Sequence, residues 1–155
     1  MLHGLANAEC EFIVVGGVCA VLHGAPISTF DLDLVHSRTS ENLSRLECAL
    51  REMEARYRQK PAIEPTAARL DTSGHHLLMT RHGPLDLLGS TVGNQGYEEL
   101  LPSSRKLDLG PDLSFDLLDL PKLIEIKRSL GRDRDLAVLP ILIRTLEEQR
   151  GNRKP

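Results

Sequence analysis

The pair Asp31 and Asp33, in Asp31-Leu32-Asp33-Leu34, is the point where residue type and spacing most clearly suit chemistry. On a β-strand, residues two apart share a face with Cβ atoms roughly 6.5–7 Å apart. Leu32 and Leu34 would then face a core, and the two carboxylates would project together from the other side. Carboxylates that close repel each other unless they are solvated or neutralised by a cation. Mg2+ fits, because it takes one or two protein carboxylates and completes its octahedron with water and phosphate oxygens; Mn2+ would serve the same ligands. The apolar–acid–apolar pattern returns in Leu85-Asp86-Leu87. If that strand lies beside the first, three acids meet. Such a cluster suits in-line phosphoryl transfer with two ions, one on a triphosphate and one activating an attacking hydroxyl. Gly16-Gly17 follows the apolar run Phe12–Val15. Glycines at a strand-to-helix corner let backbone N–H groups approach phosphate oxygens. The plain alternative for Asp31 and Asp33 is the polar outer face of an amphipathic strand.

The elements that must position these residues can be read in order. Phe12–Val15 reads as a buried strand, Val18–His23 as a short helix ended by Gly24, and Phe30–Val35 as a strand by its alternation. Ser40 is placed as the N-cap of a helix whose apolar positions are Leu43, Leu46, Leu50 and Met53. Residues 61–69 show no period. Leu77–Thr80 and Pro84–Leu88 predict a hairpin around Arg81-His82-Gly83. A glycine-containing loop and a short helix at Tyr97–Leu101 follow. Lys106–Leu109 and Leu113–Leu117 predict short edge strands joined by Gly110-Pro111-Asp112. Asp119 and Pro121 open a helix that Gly131 closes, with Leu123, Ile126 and Leu130 as its stripe. A last helix spans about 133–149, bent or restarted at Pro140, and residues 150–155 form a frayed basic tail. The expected fold is α+β, a mixed α/β domain: a central mixed twisted sheet, helices mainly on one face, and a helical C-terminal segment. The whole chain, 1–155 with a core of about 10–149, reads as one domain.

Composition narrows the classes. The chain has 155 residues, 41% hydrophobic and 26% charged, which suits a globular protein. Aromatics are only 3% and Trp is absent, which disfavours a surface that stacks several bases. A net charge of −3 gives polyanions no general attraction. Cys10, Cys19 and Cys48 are odd in number and lack short paired spacing, so they read as reduced and mostly buried thiols. No apolar run approaches the roughly 20 residues that span a bilayer, and the N-terminus has no signal-peptide pattern. A soluble, cytoplasmic protein without membrane contact is expected. His75 and His76 are adjacent, so on a strand they point to opposite faces and do not share one ion. His23 and His82, each before a glycine, read as turn residues. Asp71, ahead of Thr72-Ser73-Gly74, is a weaker third acid than Asp86, which the strand aims.

Gly16-Gly17-Val18-Cys19-Ala20, His23-Gly24-Ala25-Pro26, Thr29 and Asp31-Leu32-Asp33 together resemble the signature of the nucleotidyltransferase superfamily that includes DNA polymerase β. The order is most similar to the small bacterial branch containing abortive-infection-type nucleotidyltransferase toxins. Asp86 in Gly83-Pro84-Leu85-Asp86-Leu87-Leu88-Gly89 matches that branch's third acid, and Lys127, Gly131-Arg132 and Asp135 its late basic and acidic group. The resemblance implies transfer of a nucleoside monophosphate from a nucleoside triphosphate to an acceptor hydroxyl, with release of pyrophosphate. It implies Asp31, Asp33 and Asp86 as metal ligands and catalytic carboxylates, with Asp86 a ligand or the base. Gly16, Gly17, Thr29, Lys127 and Arg132 are then the nucleotide-binding residues. The acceptor could be RNA, protein or a small molecule, and an antitoxin or a second copy of the chain could be a partner. Two positions differ from the usual pattern: Ile27 replaces a basic residue after the proline, and Gly17 stands where many members have Ser. These favour the rival reading, a module of the same fold that binds nucleotide or a partner without turnover.

Overall fold

A computed structural model describes residues 1–151. Among the described residues, seven strands form one sheet: β1 (Phe12–Val15), β2 (Leu32–His36), β3 (Arg56–Tyr57), β4 (His75–Thr80), β5 (Gly83–Leu88), β6 (Ser104–Asp108) and β7 (Ser114–Leu118). Their spatial order is β3-β4-β5-β2-β1-β7-β6. β2 runs parallel to β5 and β1 parallel to β7, while the other neighbours are antiparallel. The sheet is therefore mixed. Among the described residues, seven α-helices accompany it: α1 (Leu2–Asn7), α2 (Gly16–Leu22), α3 (Ser40–Glu52), α4 (Ala67–Leu70), α5 (Tyr97–Leu100), α6 (Leu120–Leu130) and α7 (Asp133–Gly151).

The central strands are apolar because both of their faces are covered. All four residues of β1 are buried, and Leu32, Leu34 and Val35 of β2 are buried on its two sides. Leu85 and Leu87 of β5 continue the face that carries Leu32 and Leu34. Behind that face, His36 Nε2 donates to the carbonyl of Leu70 in α4 (3.2 Å). On the opposite face, α6 packs on α2 and α7. Cover there is uneven. His75, Leu77 and Met79 of β4 alternate with buried neighbours and stay exposed on the side that bears Asp86.

Several boundaries differ from the sequence expectation, each for a local reason. β2 begins at Leu32, not Phe30: the Thr29 hydroxyl donates to Asp31 Oδ1 (2.9 Å) and turns the chain there, leaving Phe30 92% exposed. The helix expected at Val18 begins at Gly16, so the diglycine forms its first turn. The N-cap of α3 is Thr39, whose hydroxyl accepts from Asn42 N–H, and Ser40 is its first helical residue. β7 is not an edge strand, because it joins β1 in parallel. α1, β3 and α4 carry too few residues for periodicity to register. α7 continues through Pro140, which removes the intrahelical donor to the Leu136 carbonyl; Leu136 is exposed, so solvent can satisfy that oxygen. Of the expected frayed tail, Arg150 and Gly151 belong to α7, and 152–155 lie outside the described residues. The three cysteines are free; Cys19 is buried, Cys10 half-buried, and Cys48 exposed rather than buried. Among the described residues no helix is long and apolar enough to cross a membrane.

Candidate functional site

The parallel pairing of β2 with β5 sets Asp33 directly beside Asp86, so both carboxylates share one face. Asp31, one residue ahead of β2, turns toward them. One oxygen from each of the three lies within 4.8 Å of the others. Burial, followed by the charges of Asp31 and Asp86, pushes the Asp33 carboxyl up to about 6, against weaker pulls from the Gly17 backbone N–H and Lys127. Burial also raises Asp86, and Arg58 opposes that rise. Three carboxylates in partial burial need countercharge. Their oxygens are hard donors with the spacing a divalent cation takes, so the donor set is compatible with Mg2+ or Mn2+.

The two glycines are required by packing against these acids. Gly16 has φ +64°, and a Cβ on it would lie 1.9 Å from Asp33 Oδ2. A Cβ on Gly17 would lie 2.4 Å from the Thr29 hydroxyl oxygen. Thr29, expected at nucleotide, thus fills the space over Gly17 while its hydroxyl orients Asp31. Gly16, Gly17, Thr29, Asp31 and Asp33 all line a cavity of about 520 Å³. Lys127, Arg132, Arg134 and His75 line it as well, and Leu88, Val92, Leu130 and Val138 give it apolar walls. Positive and negative groups therefore face one space, the pattern a triphosphate with its cation would meet.

Lys127 reaches this cavity on α6 but is not a free cation. Its Nζ donates to Asp135 Oδ1 (2.9 Å), with side chains 15% and 7% exposed, and Asp135 Oδ2 has no partner among the described residues. Breaking such a pair leaves a buried charge uncompensated. Lys127→Met is expected to destabilise the chain by about 3–5 kcal/mol. Adding Asp135→Leu should recover most of that loss, as read from urea midpoints at constant m-value. Equal stability of Lys127→Met and wild type would show the pair to be solvated.

Gly16, Gly17, Thr29, Asp31, Asp33, Lys127 and Arg132 line the cavity, with Arg132 in the turn after Gly131, while Asp86 is outside that lining and meets Asp31 and Asp33 in the acidic group. Asp71 ends α4 and lies outside the acidic group. His76 faces away from His75 and bonds Tyr57 Oη (2.9 Å), in accord with the adjacent-residue geometry. His23 is more than a turn residue: it is buried, and Nε2 donates to the Leu118 carbonyl (2.7 Å), tying α2 to the end of β7. Sequence reading missed Arg58, which bonds Asp86, and the cavity residues His75 and Arg134. Arg58 lies 28 positions from Asp86 behind a two-residue strand, and only the sheet pairing reveals their proximity.

The mixed seven-stranded sheet with its flanking and C-terminal helices is an α+β fold that a solved structure shares. A crystal structure from Thermotoga maritima described as a "putative nucleotidyltransferase" is similar over 91% of this chain and 86% of its own, with a TM-score of 0.54 and 16% sequence identity. At that identity the likeness speaks for the fold. No protein-family model matches the chain. No curated protein matches it in sequence.

Proposed function

We propose that this chain is a divalent-cation-dependent nucleotidyltransferase that moves a nucleoside monophosphate from a nucleoside triphosphate to an acceptor hydroxyl. The observation that carries the reading is the convergence of Asp31, Asp33 and Asp86, the first two of which line a cavity that also presents Lys127 and the diglycine corner. Asp31 and Asp33 would hold a cation shared with the triphosphate, and Asp86 would serve the acceptor side. Bound cations would supply neutralisation of the charge that builds on the α-phosphate and the leaving pyrophosphate. The chain's own groups do the rest. Thr29 keeps Asp31 turned inward. Gly16 and Gly17 leave room for Asp33 and Thr29, and their backbone N–H groups would face the phosphates. Lys127, with Arg132 and Arg134 of the same cavity lining, would offset triphosphate charge. The acceptor oxygen bonds to the α-phosphorus as the α–β bridging bond breaks, and the hydroxyl proton passes to Asp86 or to solvent beside it.

Incubation with each α-labelled nucleoside triphosphate and Mg2+ or Mn2+ tests this, with pyrophosphate release as the readout. Activity in wild type that falls at least about 100-fold in Asp31→Ala and Asp86→Ala is expected. Equal activity in all three proteins would refute the assignment. A second reading, nucleotide binding without turnover, is favoured by the ion pair on Asp86 and by Ile27 at the cavity wall. Calorimetric binding without pyrophosphate release would select it. The sequence resemblance to abortive-infection nucleotidyltransferases extends the first reading to a toxin that modifies RNA, and growth arrest on expression, relieved by Asp33→Asn, tests that extension.

A further inference from the structure

Among the described residues, Asp86 is the member of the acidic trio that an arginine already holds: Arg58 Nη2 donates to Asp86 Oδ1. The backbone explains the approach. Arg58 N–H bonds the Leu77 carbonyl (3.0 Å), Leu77 lies opposite Asp86, and Asp86 lies beside Asp33. Leu77, Asp86 and Asp33 thus form one row across β4, β5 and β2, and Arg58, the residue after β3, extends that row at its β4 end. The side chains of Arg58 and Asp86 are 30% and 13% exposed, so the pair is half-buried and is not an incidental surface contact. Three carboxylates with oxygens within 4.8 Å of one another repel, so the trio needs positive charge. Arg58 supplies it from the chain itself, on Asp86.

A guanidinium and a divalent cation on one carboxylate repel each other. Asp31 and Asp33, which lack an ion pair of their own among the described residues, face no such competition. Building on the proposed function, we infer that Arg58 is a positioning residue that holds Asp86 out of cation coordination until triphosphate charge arrives, so that the acceptor-side cation enters only with the nucleotide. The chain would then load its first cation at Asp31 and Asp33, and complete the site only when there is a phosphate to transfer.

Mn2+ alone, titrated into the full chain and followed by electron paramagnetic resonance, separates the possibilities. Wild type is expected to bind one ion in the accessible concentration range. Arg58→Gln is expected to bind a second, or to tighten the acceptor-side ion by about tenfold or more, because a unit positive charge a few ångströms away has been removed. Arg58→Lys keeps the charge and should follow wild type. Arg58→Met repeats the neutralisation with an apolar chain, and thermal melts in EDTA establish that each variant folds. A purely structural Arg58 predicts the opposite sign, since a loosened Asp86 would bind Mn2+ more weakly. Superimposable wild-type and Arg58→Gln isotherms, or weaker binding by the folded variant, overturn the role of Arg58 and leave the proposed function standing. No Mn2+ binding by either protein overturns both.

Discussion

Asp33→Asn is expected to abolish nucleotidyl transfer and, in the same preparation, to raise the stability of the cation-free chain. Asp33 sits at the centre of the acidic trio, beside Asp86 on the neighbouring strand and beneath Gly16. Its carboxyl is pushed from an ordinary 3.8 up to about 6, chiefly by burial and then by Asp31 and Asp86. At about 1.36 kcal/mol per pKa unit, that displacement corresponds to about 3 kcal/mol of destabilisation once the carboxyl is ionised. The sign follows from proton binding. Between pH 4 and pH 6 the folded state keeps a proton that the unfolded chain has released, so stability falls as pH rises through that window and stays low above it. An asparagine carries no such penalty.

Thermal melts in EDTA at pH 4 should therefore nearly coincide for wild type and Asp33→Asn. At pH 7.5 the variant should melt higher by up to roughly 6–12 °C, given about 2–4 °C per kcal/mol for a chain of this size. Mg2+ at a hundredfold excess over its dissociation constant should return about 2.7 kcal/mol to wild type only, closing most of the gap. Transfer should fall on the order of 10³-fold, because a cation ligand at the reacting phosphate has been lost. Coincident melts at pH 7.5 would show the trio to be solvated, and retained transfer would remove Asp33 from the chemistry. A gain in stability coupled to a loss of function is the expected mark of a site assembled against local preference.

The same physics explains what could be read from the sequence. Asp33 and Asp86 were legible because strand alternation aims alternate side chains to one face, and the Leu-Asp-Leu context fixes which face is the core, whereas Asp31 lies ahead of β2 and its bond to Thr29, not alternation, turns it. Gly16-Gly17 was legible because glycine pairs at a strand end have few other uses. Lys127 and Asp135 were visible as residues, but their mutual bond was not, since it crosses the turn between α6 and α7. Arg58 was invisible for a stronger reason. It follows a strand of two residues, its partner sits two strands away on β5, and an isolated arginine carries no period. Boundaries failed where side chains intervened locally: Thr29 with Asp31 shortened β2, and Thr39 displaced Ser40 as the cap of α3. Elements set by long hydrophobic patterns were recovered, whereas those set by one hydrogen bond were not.

Gly16→Ala is expected to disable the site from the backbone side, without touching any acid in sequence. Gly16 has φ +64°, where an L-residue costs roughly 1–2 kcal/mol, and its added methyl would fall 1.9 Å from Asp33 Oδ2 and 2.6 Å from Asp33 Cγ. Overpacking of that kind adds about 1–3 kcal/mol, so the total loss of stability should be roughly 2–5 kcal/mol. Asp33 is the atom group that must yield, since it is a side chain and Gly16 is held between β1 and α2. Yielding carries it out of line with Asp31 and Asp86, so Mn2+ affinity should fall at least about tenfold and transfer at least about 100-fold. Gly17→Ala provides the contrast. Its Cβ would meet Thr29, 2.4 Å away in the segment before β2, and not Asp33. That residue can shift at the cost of its bond to Asp31, so cation binding should weaken less than in Gly16→Ala. Mn2+ titration and urea unfolding of the two variants measure both effects. Equal cation affinity in Gly16→Ala and wild type would mean that the backbone at the corner does not set the position of Asp33, and the carboxylate geometry would then need another cause.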